Sequence, residues 1–145
     1  PTMLNAAIIL PGWTPVGSQI ASGAKYGAAL LDDYRGERNV LVTQSGRDRA
    51  ARFVRDVTVS KDHAKLVARV GREDDAGWTL RVLADGALFA SEPINKETAP
   101  DGWRTLTIDL APLVGKAVTL AVDQSGPSDK TDKGTKAYWK RVAIE

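Results

Sequence analysis

The first candidates for chemistry are aromatic side chains that break the apolar alternation around them. In "DGWRTLTIDL", Leu106 and Ile108 alternate as one face of a strand should, whereas Trp103 has the opposite parity. In "KAYWKRVAIE", Trp139 and its neighbour Tyr138 pose the same question, because Trp139 is out of phase with the more apolar face. An exposed indole or phenol ring is amphipathic and stacks on the apolar C–H face of a sugar. These rings therefore predict either a sugar contact or packing at an irregular, bulged strand end, and we favour packing.

Further candidates lie in the first 40 residues. Trp13, in "LPGWTPVG", is predicted to lie in a loop, where it is either exposed or plugs one end of the fold. Tyr34 offers another ring, and three polar neighbours could supply the directional hydrogen bonds that select sugar hydroxyls. The candidate ligand-binding residues are Trp103, Trp139, Tyr138, Trp13, Tyr34, Arg35, Arg38 and Asn39.

The densest charge lies in "GRDRAARFVRD" and consists of Arg47, Arg49, Arg52 and Arg55. Such a cluster could hold phosphate or sulfate groups, or the carboxylates of an acidic polysaccharide. The alternative, which we favour, is a surface strand whose guanidinium groups pair with neighbouring aspartates. Nucleic-acid binding would require aromatic side chains interleaved with the arginines. Only Phe53 is near, on the side predicted to be buried, so no nucleic-acid partner is expected.

Catalytic and metal chemistry is not indicated. The chain has no cysteine, and its single histidine, His63, is predicted to be a solvated turn residue. Zinc and Ser-His-Asp sites would need more ligands or would depend wholly on that histidine. Asp109 is predicted to cap the short turn that Gly115 closes, not to act on a substrate. We therefore predict no enzyme, no catalytic residue and no cofactor.

Length and composition fit one soluble domain spanning residues 1–145. The 145 residues are 43% hydrophobic and 26% charged, with a net charge of +2, so no dominant polyanion-binding role is expected. No segment approaches the ~20 consecutive apolar residues of a membrane helix. We therefore expect no membrane partner.

Short alternating segments separated by turn residues predict an all-β fold, a two-sheet antiparallel β-sandwich of jelly-roll type. We place an irregular lead-in at 1–35 and the sandwich core at 36–145. The clearest hairpin has Trp78 in the core and Asp85-Gly86 as its two-residue turn. A polar loop is expected at 124–136. Strands are predicted at 39–44, 52–60, 64–70, 78–90 (a hairpin), 103–109, 117–123 and 136–145.

The segments "GWRTLTIDLAPLVGKAVTLAV" and "AYWKRVAIE" resemble the late strands of galactose-binding-like β-sandwich domains, which include many carbohydrate-binding modules. The hairpin "WTLRVLADGALF" fits the middle of such a domain, and the resemblance covers about residues 32–145. Many of these domains place an acidic residue after the final-strand tryptophan, and some bind a structural calcium nearby. Lys140 and Arg141 follow Trp139 here, so a structural calcium is not favoured.

The resemblance implies a non-catalytic carbohydrate-binding or accessory module of a larger exported protein, located outside the cell or in the periplasm. Its partner would be a carbohydrate or a neighbouring protein domain. The alternative is a structural or protein-interaction domain that packs on a neighbouring domain or forms an oligomer. Under that alternative the off-phase aromatic rings would be buried at a protein interface.

Overall fold

A computed structural model describes residues 10–16, 29–45, 51–74, 76–125 and 135–145. Within these ranges the chain forms ten strands and one short 3-10 helix. They are β1 (Thr14–Val16), β2 (Ala29–Tyr34), β3 (Glu37–Ser45), β4 (Ala51–Thr58), β5 (Lys65–Arg72), β6 (Trp78–Ala84), β7 (Ala87–Ile94), β8 (Trp103–Asp109), a 3-10 helix (Ala111–Leu113), β9 (Ala117–Ser125) and β10 (Thr135–Ile144).

The strands form two five-stranded sheets whose pairings are all antiparallel. The first sheet has the order β1-β4-β9-β6-β7 and the second has the order β2-β3-β10-β5-β8. Alternate side chains of both sheets fill one shared hydrophobic core. The predicted all-β, two-sheet sandwich is confirmed. None of the helices in the described ranges is long and apolar enough to cross a membrane.

Two predicted turns are confirmed. Asp85 and Gly86 both have positive φ, 49° and 85°, as a two-residue hairpin turn of type I′ requires. The Asp109 carboxylate accepts a hydrogen bond from the backbone N–H of Ala111 at 2.9 Å, and Gly115 ends the helical turn at a φ of 85°.

The lead-in is more regular than we predicted. Residues 29–34 form β2, which pairs with β3 through a tight turn at Arg35 and Gly36, with φ angles of 50° and 87°. An arginine in the left-handed region is uncommon, so its residue type does not mark this turn in the sequence. Most of the predicted polar loop at 124–136 lies outside the described residues, and its two ends are strand instead, since Gln124 and Ser125 belong to β9 and Thr135 and Lys136 belong to β10.

Trp139 lies at the centre of the core and is fully buried. Its ring meets Phe53 edge to face at 5.2 Å and Trp78 at 5.3 Å, and both partners belong to the first sheet. The register of β10 against β5 shifts between Trp139 and Arg141, so Lys140 is the extra residue of a bulge. The bulge that we predicted from the parity of Trp139 is therefore present.

A series of buried hydrogen bonds links the two sheets beside Trp139. The Trp139 indole N–H donates to the Thr43 hydroxyl at 2.7 Å, and that hydroxyl donates to the Gln124 side-chain oxygen at 2.6 Å. The Gln124 amide then donates to the Thr135 carbonyl at 2.5 Å. Because Gln124 lies on the first sheet and its partners lie on the second, the series fixes how the sheets sit on one another.

Replacing Thr43 by valine should destabilise the fold. The change leaves the Trp139 N–H and the Gln124 oxygen buried without a partner, at roughly 1–3 kcal/mol for each group. Urea unfolding would measure the loss. Thr107→Val, at an exposed position on β8, is the control and should stay within about 0.5 kcal/mol of the wild type. A Thr43→Val protein as stable as this control would contradict the role of the network.

Candidate functional site

The structure separates the predicted aromatic residues into two groups. Trp13 and Trp139 are 3% and 0% exposed inside the sandwich, where neither ring is available for stacking on a ligand. Trp13 therefore plugs the fold, one of its two predicted roles. Tyr34, Trp103 and Tyr138 meet on the outer face of the second sheet, and we call them the aromatic cluster.

The three rings of the aromatic cluster hold one another in place. Tyr34 and Tyr138 are stacked, with centroids 3.7 Å apart and planes 4° from parallel. Trp103 meets Tyr34 edge to face at 6.0 Å. The Trp103 N–H donates to the Tyr34 carbonyl at 3.1 Å, and the Tyr34 hydroxyl donates to the Arg72 carbonyl at 2.7 Å. Ring geometry and hydrogen bonds together tie the β2–β3 hairpin to the start of β8.

Trp103 has its unusual parity because it belongs to the outer face. It pairs in regular register with Gly71 of β5, so the strand-end bulge that we predicted from its parity is wrong for this residue. It is nevertheless only 7% exposed, since it packs against Tyr34 and Tyr138 beside the buried Val40 and Val42. The predicted packing of Trp103 is confirmed, in a small second core outside the sandwich.

Two arginines cover the aromatic cluster. The Arg35 guanidinium lies 5.4 Å from the centre of the Tyr34 ring, and that of Arg69 lies 5.5 Å from the centre of the Trp103 ring. Such positions are favourable because the face of an aromatic ring carries partial negative charge. Guanidinium groups are themselves planar donors, so hydrogen-bond donors lie directly beside the rings.

The centre of this face carries further hydrogen-bonding groups. Arg69 donates to the Glu37 carboxylate at 3.0 Å and to the Thr105 hydroxyl at 2.8 Å, and its side chain is 36% exposed. Arg35 pairs with the exposed Asp74. Lys140, the bulge residue, donates to the Arg38 carbonyl at 2.5 Å.

The predicted hydrogen-bonding residues lie on the β2–β3 hairpin. Arg35, Arg38 and Asn39 are all exposed, and Asn39 has a positive φ of 55°. Of these three, Arg35 is the one whose side chain lies on the aromatic cluster. Sequence reasoning missed Glu37, Arg69 and Thr105 as site residues. The outward position of Arg69 in "AKLVARV" was the available signal.

Successive outward residues of β5 and β8 form a track that leads away from the aromatic cluster. Gly71 pairs with Trp103, Arg69 with Thr105, Val67 with Thr107, and Lys65 with Asp109. Four such rows span about 20 Å, since alternate strand residues repeat every ~6.8 Å. The far end opens into a groove of about 610 Å³ that includes Val67, Thr107 and Asp109 in its lining. The face is therefore long enough for an extended polar ligand. Over the described ranges it holds no cluster of three potential metal ligands.

Burial sets the ionisation of Tyr138. The side chain is 7% exposed, and loss of hydration raises the pKa of its hydroxyl well above the usual value, with the neighbouring Tyr34 raising it further. At neutral pH the Tyr138 hydroxyl is therefore protonated.

Comparison with known proteins identifies the class of the fold. No protein-family model and no curated protein sequence matches this chain. Many solved structures match, and several of them are carbohydrate-binding modules. The chain has the β-sandwich fold of such modules.

Three of the matching structures show how similar they are to this chain in sequence and in fold. A family 28 carbohydrate-binding module specific for non-crystalline cellulose is 13% identical, with a TM-score of 0.57 and coverage of 92% of this chain and 87% of the module. A family 6 module from Clostridium stercorarium, in complex with cellobiose, is 12% identical, with a TM-score of 0.52 and coverage of 91% and 86%. The K2 adhesin domain of Lys-gingipain is 17% identical, with a TM-score of 0.59 and coverage of 92% and 88%. Identities this low establish a shared fold and no shared ligand.

Tyr138→Phe should reduce the amount by which the free energy of unfolding decreases at alkaline pH. Below the unfolded-state tyrosine pKa of about 10 both states are protonated, and the full contribution of Tyr138 is present. As pH rises further, the unfolded chain ionises first, so the free energy of unfolding falls by up to about 1.4 kcal/mol per pH unit until the folded-state pKa is reached. Chemical unfolding of both proteins at pH 8 and pH 11 would measure this. Equal losses in both would contradict the burial of the hydroxyl.

Gly71→Ala should disturb Trp103 specifically. A Cβ at Gly71 would lie 2.9 Å from the Gly102 carbonyl and 3.1 Å from the Trp103 ring, so the ring or the backbone must move. We expect a loss of roughly 1–3 kcal/mol from overpacking and a shifted tryptophan emission spectrum. Gly36→Ala is the control for the emission spectrum, because nothing lies within 4 Å of the position its Cβ would take, although its positive φ also costs stability. Unchanged emission of Gly71→Ala would contradict the packing of Trp103 on Gly71.

Proposed function

We propose that this chain is a non-catalytic carbohydrate-binding module whose site is the outer face of the second sheet. The observation that carries the proposal is the 20 Å track of outward side chains, about four rows at the strand spacing, running from the aromatic cluster to the open groove. An extended face of this length suits an oligosaccharide chain better than a compact metabolite, which is usually held in a concave, mostly apolar pocket.

The chemistry of the track supports a sugar ligand. Arg69 and Arg35 present planar guanidinium groups, and Thr105 and Thr107 present hydroxyls that both donate and accept hydrogen bonds. Sugar hydroxyls likewise both donate and accept, so they match this mixture of groups. The buried rings beneath the arginines fix the positions of these donors, which reduces the entropy lost on binding. Hydrogen bonding, not open ring stacking, would therefore supply most of the recognition.

The comparisons add support at the level of the fold. Among the neighbours with this sandwich, one is in complex with cellobiose, one with calcium and xylotriose, and one is specific for non-crystalline cellulose. One further neighbour, 12% identical, is the secreted serine protease VesC from Vibrio cholerae, of which the match covers 27%. In line with these contexts, we propose that the chain is an accessory domain of a larger exported protein, outside the cell or in the periplasm, with no activity of its own.

Arg69→Ala should weaken oligosaccharide binding about tenfold or more. The guanidinium is a charged donor at the centre of the track, and such a hydrogen bond is worth about 1.5–3 kcal/mol. A glycan array that includes cello- and xylo-oligosaccharides, followed by calorimetry on the strongest ligands, would measure affinity. Arg104→Ala is the matched control. Arg104 lies on β8 but contacts Glu92 and Pro93 of the first sheet, so its removal should leave affinity unchanged.

Two results would count against this function. One is the absence of binding by the wild-type chain to any array glycan at millimolar concentration. The other is an equal loss of affinity in Arg69→Ala and Arg104→Ala, which would place binding elsewhere. If the wild type binds no glycan and sediments as an oligomer, the predicted alternative of an interaction domain gains support instead.

A further inference from the structure

The outer face of the first sheet carries a second polar cluster, far from the track. Arg52 of β4 and Arg81 of β6 flank Asp123 of β9, and the three residues lie in one register row across adjacent strands. Asp123 is completely buried, although it points away from the sandwich core. Arg52 is the member of the arginine-rich segment that reaches this row, whereas Arg47 and Arg49 lie outside the described residues.

One arginine is enough to neutralise the charge of the buried carboxylate. Arg81 binds Asp123 with two parallel hydrogen bonds, from Nε to one carboxylate oxygen and from a terminal nitrogen to the other, each 2.8 Å long. This bidentate arrangement is the strongest form of the pair, and it raises the pKa of Arg81 further above its usual value. Arg52 adds a single bond of 3.0 Å to an oxygen that Arg81 already holds. The second cation therefore exceeds the charge that Asp123 can neutralise.

The row keeps a surplus of positive charge and unused donors. Two guanidinium groups share one carboxylate, and only three hydrogen bonds join them. Each guanidinium carries five N–H groups, so most of these donors do not point at Asp123. The side chains of Arg52 and Arg81 are 38% and 34% exposed, and neither has another acidic partner among the described residues.

The neighbours of the row complete a bounded patch. Thr79 and Ser125 pair with each other one row away on the same face, and Ser91 pairs with Arg81, so hydroxyl groups lie beside the guanidiniums. On the other side, Leu83 and Ala121 form an apolar row. Guanidinium and hydroxyl donors on one side of an apolar strip suit an oxyanion attached to a partly apolar body, such as a sugar ring.

We propose that Arg52 and Arg81 form an oxyanion-binding site that takes a carboxylate or sulfate group of an acidic ligand. Asp123 holds Arg81 in a fixed orientation and places Arg52 beside it, while the surplus charge attracts the anion. The site lies on the sheet opposite the track and does not depend on the proposed binding of neutral sugars. An acidic glycan would be recognised here by its charged substituent and not by its hydroxyl pattern.

Nitrogen-15 NMR of the arginine side chains in the full chain would test this proposal. Sodium sulfate and sodium glucuronate are titrated separately at constant ionic strength, with sodium chloride and neutral glucose as reference arms. We expect saturable shifts of the Arg52 and Arg81 Nε signals with sulfate, glucuronate or both, and none with the reference arms. The arm that saturates identifies the anionic group.

Variants then locate the binding. Arg52→Ala leaves the bidentate Arg81–Asp123 pair intact and should weaken binding about tenfold. Arg52→Lys keeps the positive charge but lacks the planar guanidinium group. Its affinity for the anion should lie between those of the wild type and Arg52→Ala. Arg141→Ala, which removes an exposed arginine of the second sheet that pairs with Glu145, should leave binding unchanged.

Shifts that grow linearly without saturation, or that chloride reproduces, would overturn the site. So would equal weakening in Arg52→Ala and Arg141→Ala. If Arg52→Ala fails to fold, the anion affinities of Arg52→Lys and of its control Arg141→Lys are compared instead. Equal weakening in these two variants would overturn the site. Failure of this site would leave neutral-oligosaccharide binding untouched, because that binding is measured with Arg69→Ala on the other sheet.

Discussion

The burial of Trp139 between the sheets is the constraint on which the rest of the structure depends. The residue belongs to β10, the central strand of the second sheet, yet its ring packs on Phe53 and Trp78 of the first. Its N–H would be costly to bury unpaired, and the series of hydrogen bonds through Thr43 to Gln124 provides its partner. The same series of hydrogen bonds crosses from one sheet to the other. Packing and hydrogen bonding at one side chain therefore set both the separation and the register of the two layers.

The inward position of Trp139 dictates what its neighbours do. Tyr138 must point outward because side chains alternate along a strand, and there it stacks on Tyr34. The bulge at Lys140 absorbs one residue, so Arg141 pairs with Arg69 and Val142 returns to the core. The outer aromatic cluster and the pairing of Arg141 with Arg69 thus follow from one buried ring and one inserted residue. A regular β10 would have placed Arg141 inside the sandwich.

Sequence patterns predicted the parts of this structure that alternation and turn chemistry control. The strands from residue 37 onward, the Asp85-Gly86 hairpin and the capped turn after Asp109 are examples, since each has a local physical signature. β2 was missed because Arg35 adopts a left-handed conformation that is usually left to glycine or asparagine. The partners of Trp103 could not be predicted from local patterns. Tyr34 of β2 lies 69 residues earlier in the chain, and Tyr138 of β10 lies about half that distance later. The Arg52–Asp123 pair joins residues 71 apart, beyond the reach of any local pattern.

The shared sandwich fold does not specify the side chains on the two outer faces, where both proposed binding sites lie. At 11–17% identity, what it shares with them is the sandwich itself, which inward side chains and turn residues specify. Outward positions are free of that requirement, since they need only remain soluble. This chain nevertheless places four arginines in ordered contacts on its two outer faces, two against aromatic rings and two against one buried carboxylate. Burying Asp123 costs hydration energy that a neutral side chain would avoid, and replacing such a buried pair by apolar side chains is often neutral or stabilising. The two guanidinium groups around this one carboxylate therefore leave a surplus positive charge on the outer face of the first sheet, and the anion site that we propose rests on that surplus.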